Sequence, residues 1–182
     1  MIETERLILR PWTEADRTAW RAMMAEPDIA YWLGGLLTPE GSDAAFDRAR
    51  TTIAADGFGM WAIERRADSQ LVGSAGVRRM PMQWNHPMSG QVEVGWRLRR
   101  DAWGQGYATE AANAAVAWGF ANIDLAEIVT FTADTNLRSQ AVMRRLGFTR
   151  TPARDFDHPN LAEGHPLRRH VVFEMGRDRL AT

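Results

Sequence analysis

Apolar positions along the chain follow two rhythms, one of period two and one near 3.6, and the switches between them mark out the elements. Residues 6–12 read as a short strand, stopped by Pro11 and by Thr13-Glu14-Ala15-Asp16, a threonine cap with an acid three residues on. Trp20, Met23 and Met24 follow at helical spacing. Thr38-Pro39-Glu40 opens a second helix, with proline at its first position and Ala45, Phe46, Ala49 and Ile53 as its apolar stripe. Strands are predicted over 59–66 and 71–79 around the turn Ala67-Asp68-Ser69-Gln70, and over 91–99 after a loop holding Pro81 and Pro87. The next helix should bury Tyr107, Ala111, Ala114 and Trp118. Residues 126–133 read as a strand and 136–146 as a helix halted at Gly147, which tolerates a left-handed backbone. Strands over 148–154 and 168–175 flank a proline- and histidine-containing loop. No repeat, low-complexity tract or linker interrupts this order, so one domain of mixed α/β (α+β) class is expected over residues 1–182.

Composition narrows the functions. The length of 182 residues suits one domain, and 45% apolar and 25% charged residues are ordinary for a globular chain. A net charge of −1 offers nucleic acid no attraction. There is no cysteine, which removes disulfides and a thiol acyl-enzyme alike. The first residues, M-I-E-T-E-R, carry charge at once, and no apolar run approaches the ~18 residues of a membrane span. A cytoplasmic protein with no membrane partner is expected. All 22 cationic side chains are arginine, so the lysine of a Walker phosphate loop and the lysine of Schiff-base chemistry are both absent. His86, His158, His165 and His170 show no ligand spacing, and no metal is expected.

Candidate chemistry lies between Trp96 and Phe148. The chain reads W-R-L-R-R-D-A-W-G-Q-G-Y-A-T-E-A, then I-V-T-F-T-A-D-T-N-L-R-S-Q-A-V-M-R-R-L-G-F. The Gly104-Gln105-Gly106 turn opens directly into a helix, next to a strand ending in Arg97, Arg99 and Arg100. Free backbone N–H groups and the positive helix end then converge on one spot, which suits a diphosphate. A dinucleotide fingerprint is incomplete, because Thr109 replaces its third glycine and no acidic ribose ligand is apparent, which counts against an oxidoreductase. Asn136 and Ser139 share a helix face; alone, they read as a cap and a first-turn serine. Strand alternation puts Val92, Val94, Trp96 and Leu98 on one face and Gln91, Glu93, Gly95 and Arg97 on the other, and spacing alone makes Glu93 one charge of a solvated polar face. His158 and His165 fall in a loop, where a histidine titrates near neutrality or is simply hydrogen-bonded. Tyr31-Trp32-Leu33 forms an aromatic cluster expected in a loop between the first two helices.

The two halves of this stretch, at this separation, resemble the acyl-CoA core of the GNAT N-acetyltransferases, and W-G-Q-G-Y-A-T-E-A with N-L-R-S-Q-A-V-M-R-R-L-G-F resembles the RimJ/RimL branch. The element order is similar as well, so the resemblance spans most of the chain, while its specific motifs cover residues 93–148. It implies a single-domain fold with a mixed, mostly antiparallel twisted sheet flanked by helices. It further implies acetyl transfer from acetyl-CoA to a primary amine, by direct attack in a ternary complex. The acceptor would be a protein N-terminus or a small molecule, and the protein a monomer or homodimer. A non-catalytic acyl-CoA-binding module is the alternative. Residue by residue, the resemblance lays the cofactor along Trp96, Arg97, Leu98 and Arg99, with the pyrophosphate on Gly104, Gln105, Gly106, Tyr107, Ala108 and Thr109. It puts Asn136 on the pantetheine arm and Ser139 by the thioester sulfur, as proton donor to the thiolate. Met143, also expected along the cofactor, stands where many members have a tyrosine acid, and Asp101 where the usual pattern has Gln or Arg, which removes one phosphate donor. Glu93 is the expected base, acting through water, with His158 as its rival; Tyr31, Trp32 and His165 fall on the acceptor side.

Overall fold

Proline at position 11 ends the first long strand, and the Thr13–Asp16 box turns the chain into helix: the Asp16 carboxylate accepts from the Thr13 amide at 2.7 Å and from its hydroxyl at 2.9 Å. The same carboxylate accepts from both terminal nitrogens of Arg10, at 2.8 and 2.9 Å. The computed structural model describes residues 1–82 and 86–178. Its order is β1 (Ile2–Glu3), β2 (Leu7–Arg10), α1 (Arg17–Met24), α2 (Pro27–Trp32), α3 (Pro39–Asp56), β3 (Met60–Arg65), β4 (Gln70–Arg79) and β5 (Val92–Leu98). Then follow α4 (Tyr107–Asn122), β6 (Glu127–Ala133), α5 (Leu137–Arg145), β7 (Thr149–Arg150), β8 (Phe156–Asp157) and β9 (Arg169–Gly176).

These strands form one sheet in the order β1-β2-β3-β4-β5-β6-β9-β7, with β8 also on β9. Every pairing is antiparallel except β5 with β6. The expected mixed, mostly antiparallel sheet is therefore present. Val77, Val94 and Leu98 belong to the main core on the face that α4 covers. A side chain on Gly119 would meet Ile128 and Val77 at 3.2–3.4 Å, so this glycine lets α4 approach the sheet closely. On the other face, α1 and α3 bury Trp20 and Phe46 against Trp12, with ring centroids 5.0–5.8 Å apart and edge-to-face. No helix among the described residues is long and apolar enough to cross a membrane.

Three expectations are corrected. Tyr31 and Trp32 lie at the end of helix α2, not in a loop, because Pro27 at its first turn starts a helix there. On α4 the buried line is Ala111, Ala112, Ala115, Val116, Gly119 and Phe120, while Tyr107, Ala114 and Trp118 lie at its margin. Small residues take the contact line because they bring the helix axis near the sheet, and Trp118 reaches sideways to Trp61, 5.1 Å between centroids. The strand expected over 148–154 is broken into β7, a 3₁₀ turn at Pro152–Arg154, and β8. Proline removes a ladder donor there, and Arg150 bonded to Asp155 closes the detour, while the Val172 amide donates to Asp155 at 3.1 Å.

Candidate active site

The parallel ladder between β5 and β6 consists of one register, Glu93 opposite Val129. Beyond it β5 continues to Leu98 on β4, and β6 continues to Ala133 on β9, so both strands remain extended while parting from each other. Every second residue of β5 then turns its N–H and C=O toward the gap rather than toward β4. An extended ligand carrying amides can pair with such an edge.

At the open end of the gap sits the glycine turn. Gly104 and Gly106 adopt φ of +77° and +80°, a left-handed backbone at both positions. The first helical bond of α4 runs from the Glu110 amide to the Gly106 carbonyl, at 3.0 Å. The N–H groups of Gln105, Gly106, Tyr107, Ala108 and Thr109 donate to nothing among the described residues. Five unsatisfied donors at a helix N-terminus fit a diphosphate. Around them, Arg100 and Arg138 stack on the ring of Trp103, at 4.6 and 5.0 Å, and the Trp103 indole donates to the Leu98 carbonyl at 2.8 Å. Arg138 supplies a cation that sequence reasoning missed; its signal was only its place in the first turn of α5. Arg99 is held by Asp101, at 2.8 Å, and by the Leu71 carbonyl. Arg97 does not join this group and points to the opposite side of the turn, toward α1.

On the β6 side, Asn136 caps α5 by accepting the Ser139 amide at 3.2 Å, and its own amide donates to the Thr132 hydroxyl at 3.1 Å. Ser139 is partly buried, and its hydroxyl makes no hydrogen bond among the described residues. Met143, expected along the cofactor, lies 1% exposed in the main core, because it falls one turn further along the buried stripe of α5.

Glu93 departs from the solvated face that spacing alone suggested: it is 6% exposed and accepts from Arg78 at 2.5 Å. Arg78 stands directly opposite Glu93 on β4, which is why the two meet. Next to it, Gly95 leaves the strand bare, with Met60 the nearest neighbour of the missing side chain at 3.5 Å. Further along the same sheet face, Phe131 of β6 and His170 of β9 meet Phe156, His86 and His158 in an aromatic cluster. Burial drives all three imidazoles toward the neutral form, His86 down to about 4, with the neighbouring His158 and His170 adding to its shift. His170 and His86 join His158 here, whereas His165 stands apart and accepts the Leu167 amide at 3.1 Å as a turn residue. The two loops that border this face touch each other: a side chain at Gly34, after α2, would meet Leu161 at 3.4 Å. Tyr31 is 51% exposed beside Trp32, their rings 4.9 Å apart. Among the described residues no group of three or more His, Cys, Asp or Glu could hold a metal.

Comparison with known proteins agrees with this geometry. The family model described as an acetyltransferase (GNAT) domain matches residues 6–149. The uncharacterized N-acetyltransferase YoaA of Bacillus subtilis is 27% identical over 151 residues, 81% of this chain and 82% of its own. A crystal structure of the acetyltransferase from Agrobacterium tumefaciens str. C58 superposes with a TM-score of 0.76 at 29% identity, covering 96% of this chain and 92% of that one. RimL, a ribosomal L7/L12 alpha-N-protein acetyltransferase seen in complex with coenzyme A, shares the fold with a TM-score of 0.74 at 16% identity, covering 95% of each chain. The chain belongs to the GNAT family of acetyltransferases and is an acetyl-CoA-dependent N-acetyltransferase.

Proposed function

We propose that this protein moves an acetyl group from acetyl-CoA to a primary amine by direct attack in a ternary complex, and that it is a RimJ/RimL-like member of its family. The observation that carries this reading is the meeting, at one gap in the sheet, of five unbonded N–H groups and an unbonded serine hydroxyl with a buried carboxylate on its flank. The turn at Gln105–Thr109 holds the pyrophosphate, with Arg100 and Arg138 as outer cations. The free edges of β5 and β6, with Asn136, hold the pantetheine amides. Trp96 and Leu98 offer backbone groups there, while their side chains turn to the α4 face.

In the transfer, the amine nitrogen bonds to the acetyl carbon and the carbon–sulfur bond breaks. The ammonium proton leaves through water to Glu93, which returns it to solvent, while the Ser139 hydroxyl passes its proton to the departing sulfur and takes another from water. Without cysteine in the chain no thiol acyl-enzyme can form, which favours direct transfer. Acceptors are a protein N-terminus, as for the L7/L12 acetyltransferase RimL, or a small amine. The experiment is calorimetry of acetyl-CoA binding, paired with thiol release across a panel of peptides and small amines. Binding with no release toward any amine would leave an acyl-CoA-binding module instead.

A further inference from the structure

Among the described arginines that have no carboxylate within 4.0 Å, Arg97 is the partly buried one; Arg48, Arg79, Arg138, Arg144 and Arg145 are exposed. Its guanidinium lies 3.6 Å from the Met24 sulfur and 5.9 Å from the ring centre of Trp20, neither of which neutralises it. Burial, and after it the repulsion of Arg78, press its pKa down to about 10, so it stays charged at neutral pH. Its antiparallel neighbour Ser74 is fully buried, and the Ser74 hydroxyl has no hydrogen-bond partner among the described residues. Arg97, Gly95 and Glu93 alternate onto one face of β5, the face away from α4 and toward α1. Arg78, Glu93 and Arg97 together carry one more positive charge than negative. A partly buried cation whose electrostatic relief comes from Glu93, a carboxylate already paired with Arg78, gains from a ligand that supplies a further anion.

We propose that Arg97 receives a carboxylate of the acceptor, so that the substrate class is small amines bearing a free carboxylate, such as amino acids, in preference to polyamines and protein N-termini. The inference rests on the acetyl-transfer reading above. With the amine beside Gly95 and Glu93, the anionic end of a short acceptor reaches the guanidinium toward α1. A polyamine would add charge of the wrong sign to a site already positive. The surplus cation is then a specificity device, matched by one group of the right acceptor and unmatched by the others.

The test measures CoA release from the intact enzyme with matched sets: L-phenylalanine, L-leucine and L-methionine, each against its amide and its decarboxylated amine. The amides have less basic amines, which biases the comparison against the proposal. The carboxylate member should win by about ten- to a hundred-fold in kcat/KM, as befits a charge-assisted bond. Arg97→Met, which suits the neighbouring Met24 and Trp20, should erase the preference through KM, while Arg97→Lys should retain much of it. Equal rates for acid and amide, or a preference that survives in Arg97→Met, overturn the proposal alone. If Arg97→Met fails to fold, the wild-type comparison and Arg97→Lys still decide. Acetyl-CoA bound in calorimetry with no amine consumed overturns the acetyl-transfer reading, and this proposal with it.

Discussion

Arg6 grips Glu110 across more than a hundred residues of chain. The Arg6 side chain donates to the carboxylate at 2.7 Å, the Arg6 amide at 2.9 Å, and a further guanidinium N–H reaches the Gln105 carbonyl at 2.9 Å. The N-terminal strand thus braces the phosphate turn from behind. Burial opposes ionisation of Glu110, yet the bonds from Thr4 and Arg6 outweigh it and hold the carboxyl below the ordinary range. Arg6→Met should weaken acetyl-CoA binding about two- to five-fold, because a partly exposed pair is worth about 1 kcal/mol or less and the turn loses its support. Calorimetry checks this; unchanged affinity would make the pair ornamental to the site.

Gly106→Val tests the turn itself. The position has φ of +80°, where a branched residue is strained by about 1–2 kcal/mol, and its new side chain would press on the Arg6 guanidinium, 3.4 Å from the new Cβ, so the turn that aims the N–H groups is distorted from behind. Acetyl-CoA affinity should fall at least tenfold, with Tm lower by a few degrees. Wild-type affinity in the folded variant refutes the phosphate site.

Ser139→Ala separates chemistry from binding. Its hydroxyl makes no hydrogen bond among the described residues, so the fold should be unaffected. If it protonates the leaving sulfur, kcat should drop by a factor of about 10² while the acetyl-CoA KM barely moves. A change confined to KM makes it a ligand of the pantetheine arm.

Glu93→Gln keeps shape and removes basicity. Turnover should fall by about 10² to 10⁴ at neutral pH, and the deficit should shrink as pH rises toward the pKa of the amine. Arg78 will then face a neutral partner, so a thermal melt of the variant must accompany the kinetics. A full rate in Glu93→Gln, with the loss found in His158→Ala, transfers the role to the imidazole.

The imidazole cluster has a pH signature of its own. His86, His158 and His170 are held neutral by burial, His86 with a folded pKa of about 4 against 6.5 when unfolded. A depressed histidine pKa makes stability full above 6.5 and progressively lost as pH falls toward 4. His86→Phe fits the same aromatic setting and should flatten the fall of Tm between pH 6.5 and 4. An unchanged slope would place the sensitivity elsewhere.

The glycine turn and the Asn136 cap were legible because backbone conformation demands those residue types locally. Residues whose meaning depends on a distant partner were not. Glu93 sits in an ordinary alternation, and only the register against Arg78 reveals its burial. Arg97 looked like part of a basic strand end, but a strand's pleat, not its composition, decided that it faces α1. The buried line of α4 misled for another reason: an alanine-rich helix has little amphipathic contrast, so its two tryptophan- and tyrosine-bearing margins looked like its core.

The single β5–β6 register leaves the sheet as two hydrogen-bonded plates whose ladders meet at one point, over a core that both plates share. Amides of residues 95–98 that face the gap should exchange with solvent rapidly in the free protein and slow when acetyl-CoA spans the plates. Because the unfolded chain cannot offer that seam, occupancy stabilises the fold by mass action, about 2.7 kcal/mol at a hundred times Kd. Survival of the protein against proteases then tracks the acetyl-CoA supply, a readout of the cofactor pool that needs no turnover.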